Sequence, residues 1–232
     1  MIQVQPFANL GQFQNDWLNA RYHFSFSHYC DPARMGVGAL RVWNDDEIAA
    51  GKGFDPHPHR DMEIVTYVRE GAITHRDSLG NEGRTEAGDV QVMHAGTGIV
   101  HAELNLEPTP TRLFQIWLVP DRRGVEPGWG TRRFPHAGGG LVTLADGRAG
   151  ADGSALKLHV DAAVLAATLA PGQSVTHRLA PGRVAYLVPS TGSVTVNGVP
   201  AGTRDGVTVT DEDVVTVTAT EAAELVVVDA RA

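Results

Sequence analysis

Short apolar runs separated by turn residues recur along the whole chain. Leu40-Arg41-Val42-Trp43 precedes a polar stretch, Asn44-Asp45-Asp46-Glu47. Residues 64–68 stop at Glu70-Gly71, residues 73–76 lead into Ser78-Leu79-Gly80-Asn81, residues 90–93 follow Gly88-Asp89, and residues 113–119 end at Pro120. Such lengths and β-branched content suit strands, and the regular spacing of runs and turns predicts a sandwich or barrel. The same grammar returns later. Residues 156–160 alternate apolar and polar, residues 164–169 run into Pro171-Gly172, and residues 184–188 form another apolar run. Residues 193–196 meet Asn197-Gly198, a strong hairpin signal, and residues 214–217 and 225–228 complete the set. Each half places a glycine turn, at Gly71 or Gly192, between strands, and then an acidic turn before a further strand, which reads as duplication with divergence. Residues 121–140 are crowded with Gly and Pro and read as the connection, with Trp129 and Phe134 expected to pack. The prediction is an all-β chain of two tandem domains, residues 1–135 and 136–232.

Composition narrows the function. The 232 residues carry a formal net charge of -8, with 42% hydrophobic and 20% charged residues. A phosphate backbone needs a basic surface, and Arg132-Arg133 does not make one, so direct nucleic-acid binding is not expected. The one cysteine, Cys30, cannot form an internal disulfide; it is expected as a small buried or half-buried side chain in a reducing compartment. Met1-Ile2-Gln3-Val4 lacks a signal pattern, and no run approaches the ~20 apolar residues that cross a bilayer. A cytoplasmic protein with no membrane partner is the expectation.

The chemistry concentrates in two short pairs, His57-Pro58-His59 and His101-Ala102-Glu103. In a strand, residues i and i+2 face the same way. Two such strands facing each other would offer three imidazoles and one carboxylate to one divalent transition metal, with Fe(II), Mn, Ni, Cu, Co and Zn all compatible. Absence of cysteine from the pairs argues against a closed zinc–thiolate site, and four protein ligands leave room for substrate, water or dioxygen. Glu103 is both a candidate ligand and a candidate general base for a substrate hydroxyl. Glu63 keeps the parity of His57 and His59 if the strand runs unbroken, so it is expected behind the ligands, orienting an imidazole or paired with Arg60 or Arg76. His75 and His94 are read as hydrogen-bonded scaffold side chains that could line a pocket, and His23, His28 and His136 are read the same way. Gly96 and Gly98 permit a tight path just before the second pair. Met93, Phe114, Ile116 and Trp117 are core residues or pocket walls. The second half has no paired ligands: His159 and His177 stand apart, so no metal site is expected there.

Together these elements resemble the two-domain cupins of the pirin type. The first motif is Gly51-Lys52-Gly53-Phe54-Asp55-Pro56-His57-Pro58-His59-Arg60-Asp61-Met62-Glu63, closing at Gly71. The second runs from Gly88-Asp89 through Gly96-Thr97-Gly98-Ile99-Val100-His101-Ala102-Glu103 to Asn105. The resemblance implies a tandem cupin (bicupin) fold whose metal is held by His57, His59, His101 and Glu103. The commoner cupin pattern instead uses the glutamate that falls here at Glu63, and it expects Pro where this chain has Gly96. Some pirins are similar to quercetin 2,3-dioxygenases. That implies a flavonol whose 3-hydroxyl binds the metal and gives its proton to Glu103, followed by reaction with dioxygen and ring cleavage to a depside and carbon monoxide. A small aromatic substrate and dioxygen are then the partners. The alternatives are a metal-binding regulatory protein acting through a protein partner, and a metal-assisted isomerase or hydrolase. An oxygenase predicts an apolar cavity of ~300 Å³ or more, and regulation predicts a closed site. Tandem domains can supply within one chain the packing a single cupin finds by pairing, which allows a monomer.

Overall fold

A computed structural model describes residues 1–134 and 139–232. His136 and the expected boundary between 135 and 136 lie outside the described residues. The expected all-β character holds: among the described residues the helical content is one short turn, Phe7–Asn9. No helix among them is long and apolar enough to cross a membrane.

Each half pairs a seven-stranded sheet with a four-stranded one. In the first half the large sheet runs in the order Gly128–Arg132, Val90–His94, Glu63–Glu70, Thr111–Leu118, Leu40–Ile48, Leu18–Tyr22, Gly11–Gln14. The small sheet is Gly53–His59, Ile99–Leu104, Ala72–Asp77, Glu82–Glu86. The second half repeats this plan. Its large sheet includes Arg183–Thr191, Ala223–Arg231 and Ala162–Leu169, and the chain's first strand, Ile2–Gln5, joins its edge by pairing with Gly206–Val209.

Strand alternation decides what each face does. From Thr111–Leu118, Phe114, Ile116 and Leu118 enter one buried cluster with Trp43, Val65 and Tyr67, and that cluster continues into Tyr186, Val188, Val226 and Val228 of the second half. The two large sheets therefore share an apolar core. The opposite faces point into each half's own interior. In the second half that interior is filled by Leu, Val and Ala side chains such as Leu165, Leu187, Val217 and Leu225. In the first half, Asn44, Thr66, Gln91 and Gln115 occupy the equivalent face and are buried. One interior is thus packed with hydrocarbon, and the other sets a polar row between apolar clusters around Ile48, Val68 and Leu113 and around Ile64, Met93 and Ile99.

Some sequence expectations change. The stretch Asn44 to Glu47 continues the strand Leu40–Ile48. Asp45 is buried there because Arg69 and Arg204 pair with its two oxygens. Residues 156–160 give strand only at Leu156–Lys157; beyond it the chain bends so that Leu158 and Val160 enter the shared core. Cys30 is exposed, because it lies on a connecting loop just past the Phe26–Tyr29 bridge. The Asn197-Gly198 turn forms as expected, with φ of 46° and 83°. Phe134 is buried and Trp129 half-buried, as expected.

Candidate metal centre

Gly53–His59 pairs antiparallel with Ile99–Leu104 in a register that sets His101 opposite His57. The i and i+2 rule then turns His59 to the same side. One coordinating atom of each of His57, His59 and His101 lies within 4.8 Å of the others. The Nε2 atoms of His59 and His101 are buried and have no hydrogen-bond partner. Buried nitrogens are normally satisfied, so two orphaned lone pairs converging with a third imidazole form a cradle suited to a cation. Burial pushes the His101 imidazole down to about 2, reinforced by His57, His59 and His75. It pushes His59 down to about 4, reinforced by His57. Both are held neutral, the form that coordinates.

The rings are oriented from behind. His57 Nδ1 lies 2.7 Å from the Asp55 carbonyl oxygen, which fixes its proton on Nδ1 and leaves Nε2 free. His101 Nδ1 lies 3.4 Å from His75 Nδ1, and His75 Nε2 lies 2.9 Å from Asp77 Oδ2. One proton arrangement satisfies this chain. His75 donates through Nε2 to Asp77, accepts at Nδ1 from His101, and leaves the Nε2 lone pair of His101 facing the cradle. Burial alone would raise the Asp77 carboxyl, but hydrogen bonds from His75, Asn81 and Leu79 hold it below its usual range. His75 stacks on Trp129 with centroids 4.8 Å apart and planes 6° apart. The approach loop is equally constrained. Gly96 has φ of +44°, and a Cβ there would clash with the Val125 carbonyl.

Glu103 falls outside the group of mutually close ligand atoms. A bulge separates it from His101, and its carboxylate is gripped by the polar row on the facing sheet. Gln115 and Gln91 donate to it at 2.6 and 2.8 Å, and Thr66 at 3.2 Å. Those three residues are neighbours in register across three strands. Burial lifts the Glu103 carboxyl to about 7, against the lowering effect of the three hydrogen bonds. No role for Thr66, Gln91 or Gln115 was read from the sequence. The available signal was a single polar residue at one parity in each of three apolar strands.

Glu63 is not beside the three histidines. The strand breaks after His59, where Asp61 takes a left-handed φ of 48°, and resumes in the other sheet. Glu63 there pairs with His94 at 2.6 Å. His94 is thus hydrogen-bonded but away from the cradle, while His75 supports it directly. Met93, Phe114 and Ile116 are core; Trp117 sets its ring edge-on to His59 at 5.0 Å. Next to the cradle lies a cleft of about 190 Å³ whose lining includes Phe26, His28, Asp46, Phe54 and Gln115. It is smaller than the ~300 Å³ expected for a ligand cavity, whereas a more open hollow of about 390 Å³ is lined by Pro58, His59, Arg60 and Gly98. Burial, with the charges of Asp45 and Glu103, raises the Asp46 carboxyl well above its usual range.

Residues 4–118 match the Pirin family and residues 145–230 the quercetinase C-terminal cupin domain. A pirin-like protein of Caulobacter vibrioides is 57% identical over 232 residues, covering 99% of this chain and 100% of its own. The chain belongs to the pirin family. A quercetin 2,3-dioxygenase of Escherichia coli K12 is 43% identical over 211 residues, 90% of each chain. The crystal structure of the bacterial pirin YhhW from Escherichia coli in complex with nickel(II) superposes on this pirin with a TM-score of 0.94 at 38% identity, covering 100% of this chain and 99% of that one. The tandem cupin fold expected from the motifs is therefore the fold of this chain.

Proposed function

We propose that this pirin is a metal-dependent dioxygenase that cleaves a flavonol such as quercetin or a related aromatic enol. In this reading His57, His59, His101 and Glu103 hold one divalent transition ion, and nickel is the first to try given the nickel(II) in the YhhW crystal. The observation that carries the reading is the pair of buried, unpartnered Nε2 atoms on His59 and His101. When bound, such an ion lowers the pKa of a substrate hydroxyl and stabilises its oxyanion. Glu103 takes the hydroxyl proton at its carboxylate. Gln91, Gln115 and Thr66 steer it, and Phe26, Phe54 and Trp117 shield the site from water. Residues 1–135 carry the metal-binding unit, apart from the strand Ile2–Gln5 that joins the second half's sheet, and residues 136–232 cover its large sheet. The expected result for Glu103→Gln is loss of substrate-dependent dioxygen uptake with the fold retained. Retained turnover at normal metal content would refute the base role.

The narrow cleft favours a second reading. At about 190 Å³ it is small for a three-ring flavonol. In this reading the same metal centre serves a regulatory role through a protein partner, and metal-dependent binding without turnover would distinguish it.

A further inference from the structure

A second cluster of ligating side chains sits on the other face of the first half's large sheet. Glu63 and His94 are register partners on adjacent strands. They share the parity of Val65 and Val92, both members of the apolar core between the halves. His159 reaches them from the second half. Its neighbours Leu158 and Val160 are anchored in that core, and its carbonyl accepts from the Asp121 N–H at 3.0 Å.

One ligand atom from each of Glu63, His94 and His159 lies within 4.8 Å of the others. Glu63 is completely buried. Its Oε2 lies 2.6 Å from His94 Nδ1 and accepts from the His159 backbone N–H at 3.0 Å. Its Oε1 has no hydrogen-bond partner, nor does His159 Nδ1, and these two atoms face each other at 3.5 Å. A buried carboxylate oxygen left without a donor is costly, and a cation between the two atoms would satisfy both. The side chains of His94 and His159 are 17% and 14% exposed, so the cluster opens to solvent at the rim of the core.

We propose that Glu63, His94 and His159 form a second divalent-cation site, of the two-imidazole, one-carboxylate type that suits Zn(II) and leaves a position for water. Its ligands are distinct from those of the three-histidine cradle, and the proposal does not depend on the dioxygenase reading. The ion would tie the two halves together, because His159 belongs to the second and the other ligands to the first.

The test is zinc stoichiometry on the full chain after stripping with a chelator, read by competition with a chromophoric chelator and by elemental analysis. Wild type is expected to bind about two Zn(II) per chain, and His159→Ala, Glu63→Gln and His101→Ala about one each. A double His101→Ala/His159→Ala variant should bind none, and Zn(II) should raise the thermal midpoint of His101→Ala but not of the double variant. His159 lies partly at the surface, so its replacement keeps the test usable if Glu63→Gln does not fold. A wild-type stoichiometry of about one that falls to none in His101→Ala would overturn the proposal. So would an undiminished stoichiometry in His159→Ala, which would leave the cluster a hydrogen-bonded contact between the halves.

Discussion

Replacing His75 with Phe separates positioning from packing at the metal centre. Phe keeps a planar ring against Trp129, where the imidazole now stacks at 4.8 Å. It removes both nitrogens from the chain that links Asp77 to His101. Asp77 stays satisfied, because Asn81 Nδ2 and the backbone N–H groups of Leu79 and Asn81 still donate to it. The damage therefore falls on His101, whose Nδ1 proton loses its acceptor inside the protein. Leaving one buried polar group unpaired costs ~1–3 kcal/mol. The imidazole can escape that cost by moving its proton to Nε2, where the proton blocks coordination. Loss of such an orienting partner lowers metal affinity ~10–100-fold, or ~1.4–2.7 kcal/mol. Calorimetric titration of the stripped protein with Ni(II) at neutral pH, alongside urea unfolding without metal, gives both numbers. Kd is expected to rise within that range for His75→Phe. An unchanged Kd beside a lowered stability would show that His75 only fills space and would refute the proton arrangement.

Phe114→Ala should cost ~3–5 kcal/mol in urea unfolding, because its fully buried ring joins Trp43 to the core shared by both halves. His23 gives a pH signature. Its imidazole is buried, hydrogen-bonded to Tyr186 at 2.8 Å, and pushed down to about 3 by burial and then by Arg204, Arg34 and Arg69. A lowered folded-state value means that the unfolded chain binds more protons, so this contribution is present above the unfolded value of 6.5 and is lost as pH falls towards about 3. His23→Gln should flatten stability against pH in that window, at ~1.4 kcal/mol per unit of difference, and an unaltered slope would contradict the assignment.

The three histidines were legible in the sequence because their positioning is local. Two-residue spacing sets them on one face of each strand, and pairing of those strands brings the faces together. Glu63 was misplaced because parity carries through a strand only while it stays unbroken, and the left-handed turn at Asp61 moves Glu63 to another sheet. The polar run from Asn44 to Glu47 hid the continuation of its strand, because the arginines that neutralise Asp45 lie 24 and 159 residues away. His159 likewise meets Glu63 across 96 residues. The partners of Glu103 were visible only as isolated polar residues in apolar strands, and register, which no single strand contains, turns them into one row.

The most direct test of the central claim is dioxygen consumption with quercetin by protein loaded separately with Ni(II), Fe(II), Mn(II), Cu(II) and Co(II), with carbon monoxide measured in the same vessel. Metal-dependent uptake matched by carbon monoxide release, and abolished in His101→Ala, is the result expected of a flavonol dioxygenase. Metal-loaded, folded protein that consumes no dioxygen with quercetin or related enols would contradict it.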